Sequence, residues 1–165
     1  MFSSIETAVG EQFKAAFRRY PTGVAIITAP GPVGLTASSV ASVSADPPAL
    51  SFSVMDSVSA RAILGAPSFV VNLLGPGSVA VARAFAGHDG PRFTPDQGWE
   101  MLPTGEPILT GALAALRGTP LRNVPVGTST VVVAVIDAVL GPSTDHTYTG
   151  HLVYHNRDYI ETPQT

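Results

Sequence analysis

Proline and glycine punctuate the whole chain. There are 15 and 16 of them in 165 residues, with no cluster that reads as a linker. They cut the sequence into short runs, and most of those runs are rich in β-branched residues. Val24 to Ala29, Ala49 to Met55, Ser68 to Leu74, Ile108 to Leu116, Ser129 to Leu140 and His151 to Ile160 read as strands. Pro30-Gly31-Pro32 and Asp46-Pro47-Pro48 read as breaks between them. Only the N-terminal stretch keeps a helical period. Ser3 and Glu6 have capping-box spacing, and Ile5, Ala8, Val9, Phe13, Ala16, Phe17 and Tyr20 follow at helical intervals until Pro21. Ser59 to Gly65 and Ser78 to Ala86 are two shorter helices. His88 to Trp99 reads as a loop. Helices do not alternate with strands, so the pattern predicts a mainly β antiparallel barrel with added helices, not a doubly wound parallel sheet. No repeat appears, and the length suits a single domain over 1–165, with a helix over 1–20, a barrel over 21–161 and a tail over 162–165.

Charge narrows the partners. Only 13% of residues are charged, with 9 basic against 12 acidic and a single lysine, Lys14. Nucleic acid is therefore not the expected partner. A chain of this size that wets so little of its surface with charge is expected to hide some of it against a second copy. No apolar run reaches membrane-spanning length, and Glu6 and Glu11 precede the basic residues, which is the wrong order for a signal peptide. The expectation is a cytoplasmic homo-oligomer that does not enter the membrane.

Most catalytic chemistries find no support. Cysteine is absent, so thiolate nucleophiles, disulfides and thiolate metal sites are excluded. His151 and His155 have i, i+4 spacing, but the intervening Leu152-Val153-Tyr154 reads as strand, where such positions lie about 13 Å apart. No metal is expected. No Gly-x-Ser-x-Gly elbow, Walker loop or Gly-x-Gly-x-x-Gly motif occurs.

Two stretches suit a small ligand. Thr36 to Ser44 carries five hydroxyl residues in nine positions, small enough for a flat heterocycle to lie against the backbone. Serine turns within a strand would read the same way. Asp56-Ser57-Val58-Ser59-Ala60-Arg61 opens a helix, where free N–H groups and hydroxyls can meet a phosphate, or where Ser57 or Asp56 simply caps the helix. Both stretches flank the strand Ala49 to Met55.

Around these stretches the sequence resembles a known family. Phe17-Arg18-Arg19-Tyr20-Pro21-Thr22-Gly23-Val24-Ala25-Ile26-Ile27-Thr28 is similar to the opening of the flavin reductase-like family, the short-chain reductase components of two-component flavin monooxygenases. Further matches are Thr36 to Ser44 with Asp46-Pro47-Pro48, Ser57 and Ser59, Phe69 to Leu74, Phe85-Ala86, Arg92-Phe93, Gly111 to Ala114 and Leu152 to His155. They occur in family order from about residue 13 to 160.

The resemblance implies an FMN-binding split barrel of Greek-key type, a homodimer, and reduction of FMN or FAD by NADH or NADPH. The reduced flavin would diffuse to a partner monooxygenase. It also implies site residues. Thr36, Ala37, Ser38 and Ser39 would line the flavin ring and ribityl chain, and Ser53, Val54 and Met55 would lie beside the ring. Ser57, Ser59 and Arg61 would hold the phosphate. Arg92 would contact phosphate and Phe93 would stack on a ring, or the pair would anchor its loop. Asn72 would lie near the site or satisfy sheet-end backbone. His88 and Tyr154 complete the set. No protein acid or nucleophile is implied, because the flavin carries the chemistry. One departure stands out. Where the family has Gly-Asp-His near the nicotinamide, this chain has Gly127-Thr128-Ser129. The alternative expectation is a flavin-binding module without nicotinamide chemistry, or one with another hydride donor.

Overall fold

Alternation along one strand shows how the sheet packs. In Pro48–Met55 the side chains of Leu50, Phe52 and Val54 are buried, while Ser51 and Ser53 stay half-exposed on the other face. The computed structural model describes residues 2–87, 90–141 and 150–162. In chain order its elements are α1 (Phe2–Arg18), β1 (Ala25–Ala29), β2 (Val33–Ala37), β3 (Ala41–Ala45), β4 (Pro48–Met55), α2 (Val58–Gly65), β5 (Phe69–Leu73) and α3 (Val79–Ala86). They continue with β6 (Trp99–Met101), β7 (Pro107–Leu109), β8 (Ala114–Val126), β9 (Ser129–Leu140), β10 (Leu152–His155) and β11 (Asp158–Glu161). Seven strands form one antiparallel sheet in the order β2-β1-β5-β8-β9-β4-β3, and β6-β7 and β10-β11 are separate hairpins.

The sheet curls on itself. Phe52 of β4 and Phe69 of β5 lie on strands separated by β8 and β9, yet their rings meet edge to face with centroids 5.2 Å apart. The interior of the curl is a core of Ala25, Ile27, Phe52, Phe69, Val71 and Val132, closed at one end by Ala60 and Ile63 of α2. A second core lies outside the curl, where Ala82 and Phe85 of α3 pack with Val24, Ile26, Leu109 and Leu152. Strand β1 is sandwiched between the two cores and buried at all five positions. That is why Val24 to Ala29 is a continuous apolar run and does not alternate.

The expected barrel is met only as a mainly β, antiparallel fold. The ladder ends at β2 and β3, so strand pairing does not close it among the described residues. One side chain crosses near the opening. Ser39 Oγ accepts from the Ser53 N–H (2.9 Å) and donates to the Ser53 carbonyl (3.0 Å), as a strand partner's backbone would.

Three sequence expectations need correction. Ile108 to Leu116 is not one strand, because a turn over 110–113 separates β7 from β8. His151 to Ile160 is a hairpin whose turn residues Asn156 and Arg157 both have positive φ (51° and 64°). The usual glycine is missing there, so the turn was invisible. Strand β8 runs on to Val126 despite Pro120 and Pro125. Its register shifts at Arg117/Gly118 and at Pro120/Arg122, bulges that accommodate a proline within a strand. Beyond Gly118 the β8 residues are all exposed along an edge of the sheet, while Val132 and Ala134 of β9, paired with Asn123 and Pro120, stay in the inner core.

Candidate functional site

The hydroxyl-rich stretch ends β2 at Ala37 and forms the link to β3, which leaves Ser38 and Ser39 beside β4. There they line an open groove of about 950 Å³ together with Ser53 and Met55 of β4 and Tyr154 of β10. The far wall is α1 and the segment after it, through Phe13, Phe17 and Thr22. Thr36, Ser38 and Tyr154 also line a smaller adjoining cavity of about 170 Å³, where Tyr154 stacks against Tyr159 at 5.2 Å. Burial, and then the neighbouring Tyr154, push the Tyr159 phenol above its ordinary value, and the Arg83 charge opposes them only in part. The phenol is neutral at physiological pH.

Among the groove's polar groups Thr22 is distinctive. Its Oγ1 is shielded from solvent and has no hydrogen-bond partner among the described residues. Such an atom fits a ligand that brings the missing partner. With the exposed hydroxyl of Ser38 and the thioether of Met55, beside a Ser39 already bonded to the Ser53 backbone, the groove offers a polar edge and an apolar face to a flat heterocycle. The residues present therefore fit a flavin.

Other expected site residues lie elsewhere. Ala37 and Val54 point into the inner core, so only their backbone faces the site region. Ser57 and Ser59 are at the start of α2, outside the groove lining. Ser57 caps α2 by accepting from the Ala60 N–H at 3.1 Å. Asp56 and Arg61 form an exposed ion pair at 3.4 Å. Ser59 Oγ accepts from Arg92 at 3.2 Å. The rest of the Arg92 guanidinium donates to the carbonyls of Gly34 (2.8 Å), Ala84 (3.3 Å) and Gly87. It also lies 5.4 Å from the Phe85 ring centre. Arg92 thus clamps β2, α2 and α3 together. Phe93 packs against Phe85 and Trp99 at 4.9 and 5.0 Å, anchoring the loop in the outer core.

Asn72 is fully buried. It donates to the Ile26 carbonyl (3.0 Å) and to Thr28 Oγ1 (3.3 Å), and accepts from the Leu109 N–H (2.9 Å). It joins β1, β5 and β7. His88 lies outside the described residues. Gly127 and Thr128 form the two-residue turn of the β8-β9 hairpin, with glycine first at φ +58°, the II′ pattern. The Thr128 carbonyl accepts from the Asp56 N–H at 2.9 Å, and Ser129 pairs with Met55. The turn therefore sits at the Met55 end of the groove, bearing hydroxyls and no titratable side chain.

Sequence reasoning missed Thr22 as a site residue. It also missed the α1 wall and the cations Arg18 and Arg157, which line the groove as well. Thr22 stood in the quoted Tyr20-Pro21-Thr22-Gly23 motif, but only the fold shows its hydroxyl to be unpartnered.

The family model described as flavin reductase like domain matches residues 17–163. The chain belongs to this flavin reductase-like family. An NADH:FMN oxidoreductase of Rhodococcus qingshengii is 37% identical over 151 residues, covering 89% of this chain and 79% of that protein. The reductase component of an FADH2-dependent resorcinol hydroxylase from a Rhizobium species is 31% identical, covering 92% of this chain and 86% of that one. A crystal structure of a flavin reductase domain protein from an Arthrobacter species superposes with a TM-score of 0.82 at 33% identity, covering 93% and 96% of the two chains. No helix among the described residues is long and apolar enough to cross a membrane.

Proposed function

We propose that this chain is an NAD(P)H-dependent flavin reductase that reduces FMN or FAD and supplies the reduced flavin to a partner monooxygenase. The observation that carries the reading is the groove itself, with its serine-lined wall, exposed Met55 and unpartnered Thr22 hydroxyl, in a chain of the flavin reductase-like family. Hydride transfer from a nicotinamide is the chemistry a bound flavin supplies. The protein's part is to hold the ring against β4, fix its polar edge and limit water access. The reductase component similar to this chain supports the partner, and the names of both relatives support reduced flavin as the product.

The finer fold reading is a split barrel, supported by the curl of the sheet and the Ser39 crossing to Ser53. A homodimer is supported by surface. The chain exposes 9893 Å², against about 7,700 Å² for a folded monomer of this mass. Part of the excess is the outer half of β8, with exposed Leu121, Val124 and Val126. A cytoplasmic setting and a single domain are part of the same proposal.

A second reading keeps flavin binding without nicotinamide turnover. It is favoured by the hydroxyl-only turn Gly127-Thr128-Ser129 at the Met55 end of the groove. Anaerobic mixing with FMN or FAD and NADH or NADPH separates the two. Catalysed bleaching of the flavin absorbance supports the reductase. Flavin binding without bleaching supports the second reading, and Thr128→Asp with Ser129→His then restores turnover if those positions limit it.

A further inference from the structure

The groove has a second end, along α1. On α1, Phe13, Phe17 and, just beyond the helix, Tyr20 form an aromatic row along the wall, with ring centres 4.6 and 6.4 Å apart. All three rings are more than half exposed. Beside them run Lys14 and Arg18. The β10-β11 turn adds a third cation. Its Asn156 N–H donates to the Arg18 carbonyl at 2.9 Å, which pins the turn to the end of α1 and brings Arg157 to the same wall.

The two arginine charges are not paired in place. Lys14 pairs with Glu11 at 2.9 Å in an exposed contact. Glu11 lies next to this wall. Its carboxyl is held below its ordinary value by the Lys14 hydrogen bond first, and by the charges of Arg18 and Arg157 as well. Neither arginine makes a side-chain hydrogen bond or ion pair among the described residues. A positive, aromatic surface thus adjoins a serine-lined one in a single groove.

We infer that the α1 end of the groove binds the adenosine diphosphate half of a dinucleotide, with Arg18 and Arg157 on the phosphates and the row of Phe13, Phe17 and Tyr20 beneath the adenine. This rests on the flavin reductase reading and names the ligand class of the same groove. Guanidinium groups match phosphate oxygens in bidentate geometry, and an exposed aromatic face is the natural partner of a purine. The moiety has two sources, FAD and the nicotinamide dinucleotide, which share this chemistry.

The test is binding of ADP, FMN and FAD to the full chain and to Arg18→Ala/Arg157→Ala, read by calorimetry and by quenching of flavin fluorescence. Neither side chain holds another part of the fold, so the variant is expected to fold, and its melting temperature checks that. Wild-type protein should bind ADP. The double variant should lose that binding by at least about tenfold, the worth of one charge-assisted hydrogen bond, with FMN affinity unchanged. If FAD affinity falls with ADP affinity, the flavin supplies the adenylate. If FAD affinity holds while the KM for NADH rises by a similar factor with FMN as acceptor, the hydride donor supplies it. Either result supports the site. Equal ADP affinity in the two proteins overturns it, as does a wild type that binds FMN but no ADP. A dimer that dissociates on Phe13→Ala/Phe17→Ala, with no ADP binding in the wild type, assigns the wall to a second copy instead. Absence of all flavin binding would instead sink the reductase reading itself.

Discussion

Two polar regions of this molecule are handled in opposite ways. Around Glu106, between β6 and β7, every polar side chain is engaged. The carboxylate is fully buried and accepts from Ser68, from Thr104 and from Arg117 Nε at 3.1 Å, while Arg117 Nη1 reaches Asp137 at 2.6 Å. At the groove, Thr22 Oγ1 has no partner, Ser38 is exposed, and two arginines are uncommitted. The first region holds the sheet to the β6-β7 hairpin. The second leaves bonds open. A fold can seal its own polar groups where it needs rigidity, and the places where it does not are where a ligand finishes the job.

The largest effect expected from breaking this contrast is Glu106→Ala. It removes the centre of the sealed network and leaves Ser68 and Arg117 short of a buried acceptor. The cost is about 3–5 kcal/mol, read as a shift in the urea midpoint. Flavin affinity of the remaining folded protein should not change. The network also predicts an acid limb. Burial pushes the Glu106 carboxyl up, but hydrogen bonds from Ser68 and Thr104, the Glu106 backbone and the Arg117 charge outweigh it, and the carboxyl lies below its ordinary 4.5. A lowered folded value means the stabilisation is full above 4.5 and is lost as pH falls through the folded value. Melting temperature against pH should therefore drop below about pH 4.5, and Glu106→Gln should flatten that part of the drop.

Next in size is Arg92→Ala. Arg92 carries bonds to three carbonyls and to Ser59, so its loss should cost about 2–3 kcal/mol. As a clamp it should leave the preference for FMN over riboflavin intact. A collapse of that preference would return Arg92 to the phosphate. Smaller again is Ser57→Ala, which removes the cap on α2 for about 1 kcal/mol. The same FMN-to-riboflavin ratio tells whether the start of α2 also meets the phosphate.

How far the sequence alone reached follows the same divide. Regular elements with strong periodicity were legible: α1, β4, α2, β5, α3 and β9 all appear close to where alternation or helical spacing put them. The β10-β11 turn was not, because Asn156 and Arg157 adopt positive φ without a glycine to mark it. The length of β8 was hidden by two prolines, Pro120 at a bulge and Pro125 on the exposed edge. In the candidate site, Ser38, Ser39, Ser53, Met55 and Tyr154 line one groove. Arg92 and Phe93 do not, because a motif records that an arginine and a ring stand side by side, and not which carbonyls or aromatic rings surround them. The Arg18 and Arg157 pair was out of reach, since 138 intervening positions separate residues that only the fold joins.

The smallest stability effect gives the sharpest separation of the two regions. Thr22→Val keeps the shape of the side chain and removes the one buried hydroxyl, among the described residues, that the fold leaves unpaired. In the Glu106 region any comparable deletion strands a partner. At Thr22 there is no partner to strand, so stability should stay within about 0.5 kcal/mol of the wild type or rise slightly. If a flavin completes that hydroxyl's bonding, its affinity should fall by about three- to tenfold in the same variant. Both quantities come from one protein, by thermal unfolding and by flavin titration. Loss of stability with unchanged affinity would mean that Thr22 belongs to the sealed region after all, and that the groove's opening at this point is not a ligand contact.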